Sequence, residues 1–115
     1  MAKLISFDID GTLEVGDPPG SVTMDMVRRA KGLGYIIGSC SDRTISNQQR
    51  IWSDHAITVE FTVLKHQLDL VRAQFDAEVY YHIGDTDLDR QAARRAGFEY
   101  LLPEAAGTDR LWTPL

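Results

Sequence analysis

The chain has a single cysteine, Cys40, so it can close no internal disulfide, and a reducing compartment is its simpler home. No apolar run approaches the roughly 20 residues that a membrane-spanning helix needs. The opening MAKLISFDID has neither an apolar signal core nor a cleavage site, so no secretory leader is expected. The expectation is a soluble cytoplasmic protein with no membrane partner. Basic residues number 12 against 17 acidic ones, a net charge of −5. That balance argues against a nucleic-acid partner, although it leaves room for a local basic pocket. Internal repeats, low-complexity stretches and linkers are also missing, which points to one domain over residues 1–115. Hydrophobic residues at 43% and charged residues at 25% are enough for one ordinary core and argue against disorder.

Hydrophobic patterning supplies the elements. Residues 3–9 (KLISFDI) are apolar on both parities, as in a strand buried on both faces, and 11–20 (GTLEVGDPPG) are turn chemistry. Ser21 or Thr23 could cap a helix reaching about Gly32, with Val27, Ala30 and Leu33 recurring at helical spacing and Gly32 and Gly34 ending it. Residues 35–40 read as a second strand, 44–53 as a helix with Ile45, Gln49 and Trp52 on one side, and 57–63 as a third strand. Leu64, Leu68, Val71 and Phe75 are spaced as on an amphipathic helix. Residues 79–83 form a fourth strand, 86–96 a helix with Leu88, Ala92 and Ala96 on one face, and 98–102 a fifth strand. The tail from Pro103 stays unassigned, with Trp112 expected to dock on the body. Strands alternating with helices predict an α/β, three-layer Rossmann-like fold with a mostly parallel five-stranded sheet.

In such folds ligands bind beyond the carboxyl ends of the strands. Asp8 and Asp10 follow the first strand, Ser41-Asp42-Arg43 the second and Asp85 the fourth. Lys65 opens the helix after the third, and Asp89 lies one helical turn beyond Asp85. Asp8 and Asp10 start on the same side of an extended segment and repel unless a proton or cation joins them. Carboxylates, a hydroxyl and an ammonium on one rim suit Mg²⁺ and phosphate: hard oxygen ligands hold the cation, and Ser41, Lys65 and backbone N–H groups take the remaining phosphate oxygens. Ser39, two residues back on the same side of the strand, rivals Ser41. Arg43 and His66 flank the rim as candidate substrate contacts.

The order DIDGTL, Ser41, Lys65, then GDTDLDRQAARRAGF resembles the haloacid dehalogenase (HAD) superfamily. All four of that superfamily's motifs find a match between residues 8 and 97; the first, and the GD-x-x-x-D with its trailing A-x-x-A-G-F, are the specific ones. The resemblance implies Asp8 as the nucleophile that forms an aspartyl-phosphate and Asp10 as general acid and base. It implies Ser41 and Lys65 as phosphate ligands. It implies Mg²⁺ held by Asp8, by Asp85, by Asp89 in support and by the backbone carbonyl of Asp10. An aspartate two residues after the nucleophile marks the phosphatases of that superfamily, so the activity implied is phosphomonoester hydrolysis.

Neither usual insertion point has room for a cap domain: residues 11–20 are short, and Thr62 and Lys65 are nearly adjacent. An open site is expected, unless a second copy of the chain covers it in a homo-oligomer. The SDRT turn is similar to the Ser-Gly-Arg turn of polynucleotide 3′-phosphatase domains, with Asp42 replacing glycine. A calcium loop at Asp85-Thr-Asp87-Leu-Asp89 fails, because its sixth and twelfth positions are Arg90 and Ala96. Asp87 is expected to cap or solvate the helix start, His82 to be a core histidine and Cys40 to be inert. A response-regulator receiver domain needs its acidic, hydroxyl and lysine positions in a different order. An inactive HAD-like binding module stays open as an alternative.

Overall fold

A computed structural model describes residues 2–108. Its strands are β1 (Leu4–Phe7), β2 (Ile36–Ser41), β3 (Phe61–Leu64), β4 (Tyr80–Ile83) and β5 (Glu99–Leu101). Its helices are α1 (Met24–Gly32), α2 (Ile45–Asp54), α3 (Leu68–Gln74), α4 (Asp87–Ala96) and α5 (Pro103–Thr108), with a single 3-10 turn at Lys65–Gln67. The sheet runs β3-β2-β1-β4-β5, and every pairing is parallel. The fold is therefore the three-layer α/β arrangement expected, and the described residues contain no inserted cap.

The side-chain period of two explains the layers. Ile5, Phe7 and Ile37 point to one face and meet Val27 and Ala30 of α1, Trp52 of α2 and Ala106 of α5. Leu4 and Cys40 point to the other and meet Leu68 and Val71 of α3 and Ala92, Ala93 and Ala96 of α4. The chain's path matches this division: it steps one way through α1 and α2, then returns across the sheet through α3, as the right-handed crossover rule expects. The reversal makes β1 and β4 neighbours, so the crevice outside their carboxyl ends is where this topology gathers ligands.

Several elements differ from the sequence reading in informative ways. Residues 57–60 are loop instead of strand: Ala56 turns the chain at φ 55°, and the Ile57 amide closes α2 on the Trp52 carbonyl. The chain reaches β2 where the Glu60 N–H donates to the Ile37 carbonyl, and the strand register starts at Phe61. In α2 the buried polar residue is Gln48, and Gln49 is exposed. In α4 the inward stripe is Asp89, Ala92, Ala93 and Ala96, which turns Leu88 out to 59% exposure. Thr23 caps α1. Thr86, and not Asp87, caps α4, while Asp87 pairs with Arg90 at 2.9 Å on the surface. The unassigned tail begins with α5; Trp112 lies outside the described residues. Among the described residues, no helix is long and apolar enough to cross a membrane.

Candidate active site

The rim residues converge. Carboxylate oxygens of Asp8, Asp85 and Asp89 all lie within 4.8 Å of one another. Asp8 sits one residue beyond β1, where its N–H still donates to the Ile83 carbonyl and its Oδ1 accepts from the Ile9 N–H at 2.8 Å. These two bonds hold it at the crevice, and it is 3% exposed. Asp89 comes from the first turn of α4 and is wholly buried. Asp85, on the loop between β4 and α4, is exposed.

Two glycines make the cluster possible. Gly11 has φ +73°, and a Cβ there would collide with the Asp85 carboxylate. A Cβ at Gly84 would collide with the Asp89 side chain. Any other residue at either position would push an acid out of the group.

Lys65 stands at the end of β3 with its Nζ 3.4 Å from Asp89 Oδ1, 3.5 Å from Asp42 Oδ2 and 3.6 Å from Asp8 Oδ2. These distances exceed those of a tight charge-assisted hydrogen bond, so the ammonium is shared as an ion pair among the three acids. Burial disfavours its charge, but Asp8, Asp89 and Asp42 outweigh that and raise its pKa above the ordinary lysine range.

Asp89 is held from three directions. Oδ1 meets His82 Nε2 at 2.9 Å, and His82 Nδ1 meets Ser6 Oγ at 3.0 Å. Oδ2 accepts from Thr86 Oγ1 at 2.8 Å and from the Thr86 N–H. Burial would raise its pKa, yet the hydrogen bond and charge of His82, with Lys65, hold it well below the usual carboxylate range. Asp8 goes the other way: burial first, then the charge of Asp89, pushes its carboxyl up to about 8 against the pull of Lys65. The pair thus settles one negative charge on Asp89 and a proton on Asp8. A divalent cation among these hard oxygens could replace that proton, which is the fit test a magnesium site must pass.

Asp10 does not join the trio. Its carboxylate accepts from Arg43 Nη2 at 2.7 Å and Nε at 3.1 Å, and from the Asp17 N–H at 2.8 Å. Arg43 Nη1 also donates to Asn47 at 2.9 Å. The guanidinium hydrogen bonds hold Asp10 below the usual carboxylate range. The general acid that the resemblance implies at Asp10 needs a proton there; in the structure a bidentate arginine favours the ionised form.

The two serines separate clearly. Ser39 Oγ donates to Gln48 Oε1 at 2.6 Å and accepts from Trp52 Nε1 at 3.0 Å, so it is committed to the core. Among the described residues, Ser41 Oγ accepts only from the Arg43 N–H, at 3.1 Å, and it stands at the rim. His66 is exposed and lies outside the carboxylate trio; it lines a groove with Lys65 and Asp42. Cys40 is buried, and burial, with the charges of Asp89 and Asp8, raises its thiol pKa, so it is a poor nucleophile.

Sequence reasoning missed Ser6 and His82 as the residues that orient Asp89. Nothing local links positions 6, 82 and 89; only the parallel pairing of β1 with β4, which sets Ser6 opposite His82, brings them together. The capping pair Thr86-x-x-Asp89 could have been read from spacing alone. No family model matches the chain, and no curated protein matches it.

Proposed function

We propose that this chain is a cap-less, magnesium-dependent phosphomonoester hydrolase of the HAD type, working through Asp8. The observation that carries the reading is the convergence of Asp8, Asp85 and Asp89 within 4.8 Å, with the Lys65 ammonium set against two of them. Phosphoryl transfer needs positioning and neutralised equatorial oxygens more than covalent help, and this rim offers both. Mg²⁺, when bound by the three carboxylates, supplies charge neutralisation and keeps Asp8 deprotonated. An Asp8 carboxylate oxygen attacks phosphorus, the P–O ester bond breaks, and the leaving oxygen takes a proton from Asp10. Water then attacks the aspartyl-phosphate, gives its proton to Asp10, and releases phosphate with Asp8 restored. Lys65 and Ser41 hold the phosphate oxygens.

Asp10 can carry that proton only once Arg43 turns to another anion, and the incoming phosphate is one. Arg43 is therefore the residue that couples substrate entry to a protonated Asp10. The site is open, so its partner is a phosphorylated substrate, with a second copy of the chain as a further candidate cover; the cytoplasm is its expected place.

The test is release of p-nitrophenol from p-nitrophenyl phosphate, with and without Mg²⁺, by the wild type and Asp8→Asn. Turnover that needs both the cation and Asp8 supports the reading. No turnover, together with no magnesium-dependent binding of beryllofluoride or orthovanadate, would replace it with a catalytically inactive binding module.

A further inference from the structure

Because α4 turns Asp89 and the alanines inward, its neighbouring stripe, Leu88, Gln91 and Arg95, is left facing the Lys65–His66 turn. Between them lies a groove of about 330 Å³, within the range of small-molecule sites. Leu64 and Ala92 give it apolar surface, and Lys65 is shared between this groove and the carboxylate cluster.

The charge of the groove is uneven. Asp42 is already engaged by Lys65 at 3.5 Å. The Arg95 guanidinium has no hydrogen bond or ion pair among the described residues, whereas Arg90 is tied to Asp87, and Arg72 to the Gly97 carbonyl and the Tyr80 ring. Asp69 of α3 borders a smaller adjoining dent with Arg95 and His66 but makes no ion pair with either. An uncommitted guanidinium thus lines a pocket whose other end is the phosphate-binding lysine. Arg95 follows Asp89 by six residues, about 9 Å along the helix axis, and side chains on a helix lean toward its N-terminus. A group of only a few carbon atoms on the phosphate would span that gap.

We propose that this groove is the leaving-group pocket, and that it selects small phosphomonoesters whose leaving group ends in a carboxylate, paired with Arg95. The proposal rests on the phosphomonoester reading above.

The test compares 3-(phosphonooxy)propanoate with propyl phosphate, which has the same chain length and lacks the carboxylate. With Mg²⁺, the wild type should favour the acid by roughly five- to tenfold in kcat/KM, the scale of one charge-assisted contact partly open to water. Arg95→Gln should collapse that ratio to about one, Arg95→Lys should restore part of it, and Arg94→Gln on the exposed side of the same helix should keep it. Calorimetry on Asp8→Asn should show the same ratio in affinity. Equal handling of the two esters by wild-type protein, or a ratio that survives Arg95→Gln, would overturn the pocket assignment while leaving the hydrolase reading intact. Failure of the wild type to turn over either ester or p-nitrophenyl phosphate would overturn the hydrolase; the calorimetric ratio then decides the pocket by itself.

Discussion

Replacing Asp8 by asparagine isolates what a buried acid costs the metal-free fold. The carboxyl is 3% exposed, and burial with the Asp89 charge beside it lifts its pKa from 3.8 to about 8. A pKa raised on folding favours the fold fully below the unfolded value near 3.8, and that contribution is lost as pH rises through about 8. The shift is about four units, so its ceiling is ~6 kcal/mol at ~1.4 kcal/mol per unit. Lys65 can close on the ionised carboxylate and water can enter from the open rim, so ~2–3 kcal/mol is expected at pH 9. Asparagine keeps an acceptor for the Ile9 N–H but cannot ionise. In EDTA the two proteins should therefore melt alike at about pH 3.5, below the unfolded value, and begin to part before about pH 5. Near pH 9 Asp8→Asn should melt roughly 8–12 °C above the wild type, at ~4 °C per kcal/mol for a domain of this size. Adding Mg²⁺ at pH 9 should close most of that gap by stabilising the wild type. Melting curves that stay parallel at every pH, and do not respond to Mg²⁺, would refute the idea that Asp8 stores an unmet charge.

The two serines should part in opposite assays. Ser39→Ala strips a partner from both Gln48 and the Trp52 indole in the core, so stability should fall by ~2–3 kcal/mol in denaturant titration. Ser41→Ala should cost under ~1 kcal/mol there but weaken orthovanadate binding severalfold, and equal loss in both assays would contradict the division. Gly84→Ala pushes a methyl group against Asp89; it should abolish the Mg²⁺-induced rise in melting temperature while far-ultraviolet circular dichroism stays native. A normal Mg²⁺ response in that variant would show that Asp89 is not needed in the cluster.

The layered fold was legible because each element reports it locally. A strand buried on both faces must be apolar on both parities, and a helix against a sheet must repeat every three to four residues; Leu4–Phe7 and Leu68–Val71 do so. The third strand was started too early because 57–60 carries the alternation of a strand, whereas the turn at Ala56 keeps 57–59 off the sheet. The inward side of α4 was misjudged for a related reason. Periodicity identifies Leu88 as apolar, but the buried position in that turn is taken by Asp89, whose hydrogen bonds to His82 and Thr86 offset the cost of burying it.

By itself the chain determined the strand and helix order, and with it the placing of Asp8, Ser41, Lys65 and Asp85 at one edge, because parallel connections put every strand's carboxyl end on the same rim. Tertiary structure alone decided the state of those groups. Which serine is free depends on Trp52 and Gln48 reaching back to Ser39, and which acid is ionised depends on His82 beside Asp89 and Arg43 across from Asp10. Charge and hydrogen bonding act through space over a few ångströms. Residues up to 76 positions apart, such as Ser6 and His82, meet only when the sheet is assembled.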